Sequence, residues 1–168
     1  ICGVNADILG FKLSPDEAKD LAKLGEKITE AANEQLNFYH PTYSDWNHFS
    51  FCHFCGPLLE GNKGKHFKSA VAIKPGKIDR SPTGTALSAK MAILHKHGKI
   101  SIGDKLTAIS IIGSEFTGQI LGITKVGSID AILPEISGRA WITGTHQHML
   151  DPSDPWPGGY RISDTWGV

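Results

Sequence analysis

A seven-residue run near the middle of the chain combines a carboxylate, hydroxyl groups and a glycine, which together can hold a small anion. The run reads Asp79-Arg80-Ser81-Pro82-Thr83-Gly84-Thr85. Ser81 can cap a helix and Pro82 suits the first helical position, so we expect a helix to begin inside the run. Backbone N–H groups at a helix start lack helical partners and favour an anion such as a substrate carboxylate. The run predicts a small-anion site with Asp79 beside it.

The backbone N–H groups of Thr83, Gly84 and Thr85 are the ones expected to face the ligand. Gly84 removes a side chain where the ligand would approach, and Thr83 offers a hydroxyl at the same place. The alternative is an ordinary capped core helix in which the acid and the threonine serve only the cap. The residue types alone leave both interpretations open.

The elements around this run follow from its neighbours. The apolar run Ser69 to Ile73 predicts a strand, and the residues 75–77 predict a turn into the site. The central helix is predicted over residues 82–97, enclosed on most sides because few of its positions suit solvent. His95 and His97, followed by Gly98, are interpreted as helix-end residues and not as ligands.

A second helix and a set of strands complete the predicted fold. Ser14, Pro15 and Glu17 form a capping-box pattern, and apolar residues at helical spacing extend the predicted helix from Pro15 to about Leu36. Residues 47–55 predict a strand, and residues 60–68 a polar loop. Glycine-punctuated β segments follow at 106–112, 116–126, 129–136 and 139–143. They predict an antiparallel meander around the central helix.

The chain contains two combinations of residues that could suggest a metal site. Cys52 and Cys55 flank His53, but a strand would send the two sulfurs to opposite faces, and the chain has no second cysteine pair. We therefore expect two buried thiols and no structural zinc. His146 and His148 could share a strand face, but no acidic residue accompanies them, so we interpret them as structural.

Composition limits the kind of partner. The 168 residues carry 17 basic and 17 acidic side chains, which predicts no nucleic-acid or membrane partner and favours a small neutral or zwitterionic molecule. No apolar run approaches the length of a membrane span, which favours a soluble protein. The three cysteines show no disulfide spacing pattern and favour a cytoplasmic location. Ile1 stands where an initiator Met is expected, so we expect a part of a longer protein.

The run Asp79 to Thr85 resembles the second catalytic motif of the proline racemase and hydroxyproline epimerase family. The resemblance covers nearly the whole chain. It continues through Ser110-Ile111-Ile112-Gly113-Ser114, Phe116-Thr117-Gly118, Gly138-Arg139-Ala140-Trp141 and the tail, and upstream through Asn33-Glu34-Gln35 and His40-Pro41.

The resemblance implies an α+β fold like that of diaminopimelate epimerase, in which two pseudo-symmetric halves each wrap a curved antiparallel sheet or barrel around a central helix. This chain would be the second half. Residues 1–145 would form the domain, and the tail 146–168 would dock on or return to the first half. The family's first motif, Cys-Gly-His, is absent here: Cys2 and Gly3 are followed by Val4. The full-length protein would be a homodimer.

The resemblance also implies roles for four site residues. Asp79 would bind the amino group of an amino acid, and the backbone of Gly84 and Thr85 would bind its carboxylate. His53, at the family's spacing upstream, would be a further substrate contact, or else a packed strand histidine. The resemblance implies neither a metal nor an organic cofactor.

Thr83 stands where racemases and epimerases of this family have a second cysteine. Two-base racemisation needs a tunable acid on each face of the substrate, and a threonine hydroxyl cannot serve as one. In this respect the chain resembles the trans-3-hydroxy-L-proline dehydratases, in which a single cysteine removes the α-proton and hydroxide leaves. The resemblance implies that Thr83 is catalytic and orients the departing group. The alternatives are a 4-hydroxyproline epimerase or proline racemase, and a non-catalytic fragment or amino-acid-binding domain.

Overall fold

One mixed sheet and two α-helices make up the computed structural model, which describes residues 1–62 and 64–160. Within these residues the helices are α1 (Ala18–Gln35), preceded by a 3-10 turn at Pro15–Glu17, and α2 (Gly84–Lys96). The eight strands are β1 (Cys2–Asn5), β2 (Phe51–Cys55), β3 (Leu59–Gly61), β4 (Gly64–Ile73), β5 (Lys77–Ile78), β6 (Lys105–Ser110), β7 (Glu115–Val126) and β8 (Ile129–Gly138).

The strands are ordered β1-β2-β4-β6-β7-β8, and β3 and β5 each pair with β4. The predicted antiparallel meander is confirmed for β6, β7 and β8. The sheet as a whole is mixed, however, because β1 runs parallel to β2 and β4 runs parallel to β6. The α+β class is therefore confirmed, and the expectation of a purely antiparallel sheet is wrong.

Three predicted β and loop segments differ from the structure. The predicted loop 60–68 is largely a hairpin of β3 and β4, whose polar side chains stay partly solvated at the sheet edge. The predicted strand 139–143 does not form, and residues 139–160 are exposed. Strand β2 begins at Phe51 instead of Asn47. Upstream of it, the amide of Asn33 both donates to the Phe49 carbonyl, at 2.9 Å, and accepts from the Phe49 N–H, at 2.7 Å. That side chain replaces a strand partner.

Helix α1 matches its prediction and lies directly on the sheet. Its buried stripe comprises Leu21, Ala22, Gly25, Thr29 and Ala32. A Cβ added at Gly25 would lie 2.3 Å from the Cβ of Ala72 on β4, so the glycine permits this close approach. Glycine has a low helix propensity, so Gly25 weakens α1 slightly, but it allows the helix to pack closely against the sheet.

The sheet separates two apolar clusters. Under α1 the core includes Ala6, Leu13, Leu21, Cys52, Phe54, Ala70, Ala72 and Ile111. Under α2 it includes Cys55, Phe67, Leu87, Met91, Leu94, Ile100, Leu106, Ala108 and Ile120. Cys52 and Cys55 belong to different clusters, which confirms that their sulfurs point to opposite faces.

Helix α2 packs on β7 and β8 but is less enclosed than predicted. Ala86, Leu87, Met91 and Leu94 are buried, whereas Ile93 is 52% exposed. Only one side of the helix therefore faces the core. In the part of the chain that the structure describes, neither helix is long and apolar enough to cross a membrane.

Candidate active site

The start of α2 lies two residues later than predicted. The helix begins at Gly84, and Thr83 is its N-cap residue, so Ser81 and Pro82 precede the helix. The hydroxyl oxygen of Ser81 instead accepts the Thr83 N–H at 3.1 Å. The Thr83 carbonyl accepts the first helical bond, from the Leu87 N–H at 3.0 Å. The serine therefore stabilises a turn outside the helix.

Thr83 adopts a strained backbone conformation, with φ of +63° and ψ of +107°. Positive φ is a genuine outlier for a β-branched residue, and it costs on the order of 1–3 kcal/mol. Strained residues persist where their surroundings fix them, and they cluster at functional sites. The conformation singles out Thr83 in the run, although the sequence alone gave no sign of it.

Asp79 and Thr83 contact each other directly. The Thr83 hydroxyl donates to Oδ2 of Asp79 at 2.5 Å, and the Ser81 N–H donates to Oδ1 at 2.9 Å. Both side chains are half-buried. The carboxylate therefore fixes the direction of the threonine hydroxyl while its remaining lone pairs stay available to a ligand.

The first N–H groups of α2, at Gly84, Thr85 and Ala86, remain without partners among the described residues at the tip of the site. No side chain of the described chain caps this helix either. The helix start adds its positive end of the dipole at the same place. A Cβ at Gly84 would meet only Ile136 Cγ2, at an ordinary 3.7 Å, so packing within the chain does not require the glycine. The geometry suits a carboxylate.

A recess lined with aromatic residues adjoins Thr85. Its other lining residues are Ile1, Phe38, Trp46, His48, Ser50 and Phe51. No sequence motif assigned these residues to the site. The aromatic density of residues 38–51 was visible in the sequence, but the path that brings this segment to the α2 start depends on long-range contacts.

His53 lies beneath the site and does not touch Asp79 or Thr83 by a hydrogen bond. It is 2% exposed, and its Nε2 lies 2.9 Å from Ser69 Oγ. Burial, with a smaller contribution from the charge of Lys90, lowers the pKa of His53 to about 4. The structure therefore places the neutral ring next to the site's supporting residues, while Asp79, Thr83, Gly84 and Thr85 come together directly.

Two serines that had no predicted role in the site hold the backbone of the run. Ser69 on β4 donates to the Pro82 carbonyl at 3.1 Å. Ser114, before β7, donates to the Arg80 carbonyl at 3.1 Å, and its hydroxyl lies 2.7 Å from that of Ser110. A buried serine in an apolar strand needs a hydrogen-bond partner, and this requirement could have indicated from the sequence that Ser69 has a structural role.

The cysteines and the remaining histidines do not form a metal site. Among residues 1–62 and 64–160, no group of three or more His, Cys, Asp or Glu side chains could hold a metal ion. Burial raises the pKa of Cys52 to about 12 and that of Cys55 to about 11. His146 and His148 are exposed and lie outside any strand, so they do not share a strand face.

The fold of this chain is similar to that of known proteins. The chain is similar to the structure of a hydroxyproline epimerase from Agrobacterium vitis with bound trans-4-OH-L-proline, at 34% identity and a TM-score of 0.77, covering 99% of this chain and 47% of that one. It is also similar to a probable proline racemase from Agrobacterium radiobacter K84 with bound carbonate, at 32% identity and a TM-score of 0.77, covering 99% and 48%. The fold is therefore that of one half of a racemase or epimerase of this kind.

The family can be stated as well. The profile described as proline racemase matches residues 2–161, and the chain belongs to the proline racemase family. The chain spans about half the length of the two solved structures it matches.

Proposed function

We propose that the protein containing this chain acts at the α-carbon of a proline derivative, and that it is a trans-3-hydroxy-L-proline dehydratase. One observation carries the proposal: the residue at the strained cap of α2 is the alcohol Thr83, held by Asp79 at 2.5 Å. Family membership and the donors of Gly84 and Thr85 support the substrate class. The roles of all these residues are part of the proposal.

The substrate would bind by its two charged groups. Its carboxylate accepts from the N–H groups of Gly84 and Thr85, where the helix dipole favours negative charge. Its ammonium donates to Asp79, whose two oxygens each use only one acceptor position within the loop. These contacts place the α-carbon near Thr83.

Proton exchange would occur on one face of the substrate only, because the hydroxyl of Thr83 is too weak an acid and too weak a base to exchange the α-proton on the other face. A cysteine in the other half would remove that proton, and the electron pair would form a double bond to the adjacent carbon. The bond from that carbon to its hydroxyl oxygen breaks, and the departing hydroxide takes the α-proton back from the cysteine to become water. The enamine then isomerises to the cyclic imine acid. No cofactor is needed.

Thr83 would orient the leaving group. Its proton is committed to Asp79, so the oxygen has lone pairs for the 3-hydroxyl of the substrate. The strained backbone fixes that direction before the substrate arrives, which lowers the cost of orientation in the transition state.

The test is a product analysis of the full-length protein with trans-3-hydroxy-L-proline, trans-4-hydroxy-L-proline and L-proline in deuterated water. We expect the cyclic imine from the first substrate, with loss of water, and no inverted product from the other two. Inversion with deuterium at the α-carbon and no water loss would contradict the dehydratase.

A 4-hydroxyproline epimerase or proline racemase is the second candidate, and the identities of the two similar structures favour it. In that case the enzyme would have lost its second thiol at residue 83. Thr83→Cys should then raise α-proton exchange. If the variant gains no exchange, this alternative is wrong.

A non-catalytic fragment or amino-acid-binding domain is a third possibility, because the chain spans about half of its matches. Calorimetry with pyrrole-2-carboxylate, a planar mimic of the deprotonated substrate, separates the cases. A fragment would bind weakly without turnover, whereas the full-length protein would bind tightly and turn substrate over.

The domain organisation stays a prediction. We propose that residues 1–145 form the second half and that the tail from residue 146 docks on or returns to the first half. Exposed apolar side chains in the tail support this docking, namely Met149, Leu150, Trp156 and Tyr160. Residues 161–168 of that tail lie outside the described residues. A homodimer and a cytoplasmic location remain predictions.

A further inference from the structure

A buried chain of polar atoms runs from β2 to the loop before α2. The Cys55 sulfur lies 3.4 Å from each of the two ring nitrogens of His53. One of these nitrogens, Nε2, also lies 2.9 Å from Ser69 Oγ. Ser69 Oγ in turn donates to the Pro82 carbonyl at 3.1 Å. Ser69 is fully buried, and His53 and Cys55 are 2% and 7% exposed, so water does not compete for these groups.

The direction of each hydrogen bond follows from the carbonyl at the end. A carbonyl can only accept, so Ser69 must give it its single hydroxyl proton. Nε2 of His53 must then donate to Ser69, which fixes the Nε2–H tautomer. Nδ1 is left as an acceptor for the Cys55 thiol. Burial keeps the ring neutral and the thiol protonated, since it lowers the pKa of His53 and raises that of Cys55.

The carbonyl that receives this bond matters to the site. Pro82 is fully buried and precedes the helix, so its carbonyl lies outside the helical ladder and needs another donor. The next residue is Thr83, with its strained φ of +63°. Ser69 therefore anchors the peptide plane that leads into the strained cap. Ser114 holds the Arg80 carbonyl two residues earlier.

We propose that Ser69 is a positioning residue that acts with His53, in its Nε2–H tautomer, to fix the Pro82–Thr83 peptide and so aim the Thr83 hydroxyl. His53 then acts through Ser69 instead of contacting the substrate. The kinetic consequence rests on the proposed function. The hydrogen-bond chain itself can be tested without it.

The first test compares Ser69→Ala with Ser88→Ala in the full-length protein. Ser88 also donates to a backbone carbonyl, that of Gly84 at 2.9 Å, but from within α2, so it is the matched control. We expect Ser69→Ala to lower kcat at least about tenfold with a smaller change in KM, because a misplaced reacting group loses rate. Ser88→Ala should stay within about twofold of wild type. A Ser69→Ala protein that melts earlier but keeps its kcat would overturn the proposal.

The second test exchanges the histidine for its two amide mimics. The glutamine amide can reach the place of Nε2 and donate to Ser69, whereas the asparagine amide reaches only the place of Nδ1. We expect His53→Gln to retain most of kcat and His53→Asn to lose it to the same degree as Ser69→Ala. Equal loss in both variants, with a normal fold, would point to a direct substrate contact and contradict the indirect role.

The third test does not depend on turnover. Nitrogen-15 NMR of the imidazoles at neutral pH should show His53 with a protonated Nε2 and a bare Nδ1, and Ser69→Ala should shift the amide of Thr83. A charged ring or an Nδ1–H tautomer would overturn the proposed chain. If no proline derivative were turned over, the proposed function would fail while this measurement would still decide the inference.

Discussion

The two helices of this chain begin in opposite ways. At α1 the N–H of Glu17 donates to the Ser14 carbonyl at 3.1 Å and that of Ala18 to the Pro15 carbonyl. The Glu17 carboxylate also accepts the N–H of Ser14 at 3.0 Å. At α2 the cap residue Thr83 gives no side-chain cap, and the N–H groups of Gly84 and Thr85 have no internal acceptor among the described residues. One helix start is closed by its own chain, and the other is left open.

Backbone strain separates the same two regions. Leu13 and Thr83 are the two non-glycine residues with positive φ in the described chain, at +55° and +63°. Leu13 is 2% exposed and packs in the core under α1, so burial offsets its strain. Thr83 is half-buried and its hydroxyl points to Asp79. The comparison teaches that a satisfied helix start serves folding, and that an open, strained one marks the candidate site.

The largest expected effect comes from exchanging the acid at each helix start. Asp79→Asn should lower activity by on the order of 10²-fold, because the charge that we propose binds the ammonium, and that directs the Thr83 hydroxyl, is lost. Its melting temperature should change little. Glu17→Gln should do the reverse, with unchanged kcat and a slightly lower melting temperature. Steady-state kinetics and calorimetry on both variants check this, and equal kinetic losses would break the comparison.

Acid should affect the α2 region at a higher pH than the α1 region. The pKa of His53 is about 4 in the folded state, below its ordinary value, so the unfolded chain binds a proton first as pH falls. Stability should therefore drop between about pH 6.5 and 4, by about 3 kcal/mol in total.

Glu17 acts in a lower range, because backbone N–H donation from Ser14 and Lys12 lowers its pKa. Its contribution is present above its ordinary pKa and is lost only as pH falls through the lowered value. Urea unfolding at several pH values measures both ranges, with His53→Gln as the control. If the His53→Gln protein still lost the full amount of stability above pH 4, the assignment of this loss to His53 would be wrong.

Substitutions at two glycines should have smaller effects. One should weaken ligand binding and the other should lower stability. Gly84→Ala should leave stability nearly unchanged, because its nearest contact would be 3.7 Å away, but should weaken pyrrole-2-carboxylate binding about tenfold. Gly25→Ala should cost about 1–3 kcal/mol, because its Cβ would lie 2.3 Å from that of Ala72. Unfolding and binding isotherms measure the two quantities. Unaffected binding in Gly84→Ala would remove the glycine from the proposed site.

The last prediction is that the thiols of Cys52 and Cys55 do not react with an alkylating reagent in the folded protein. Burial raises the pKa of Cys52 and Cys55 to about 12 and 11, and thiolate is the reactive form. Iodoacetamide at neutral pH should therefore label Cys2 in the folded protein and the other two only after unfolding. Mass spectrometry of the labelled peptides provides the readout. Rapid labelling of Cys55 would contradict its place in the buried chain.

Much of the fold could be predicted from local patterns. The capping box predicted α1, and apolar runs with glycine punctuation predicted β4 and β6 to β8. The parallel pairings could not be predicted, because they depend on contacts far apart in sequence. The Phe49 backbone is another such case: Asn33 holds it from sixteen residues away and shortens the predicted strand.

The residues of the candidate site could be proposed from the sequence, but their geometry could not. Local chemistry and resemblance identified Asp79, Thr83, Gly84 and Thr85, and the structure brings them together. The strained conformation of Thr83 could not be predicted, because the hydroxyl of Ser69 on β4 helps to fix it from a distant part of the chain. The capping preferences of Ser81 and Pro82 favoured an earlier helix start, and these tertiary hydrogen bonds outweigh them.

The most direct measurement follows backbone amides by NMR while pyrrole-2-carboxylate is added to the full-length protein. If the open start of α2 holds the substrate carboxylate, the amide protons of Gly84 and Thr85 will shift downfield and saturate together. The amides of Lys12 and Ser14, already satisfied by Glu17, will not move. Saturable binding that leaves Gly84 and Thr85 unchanged would contradict the site.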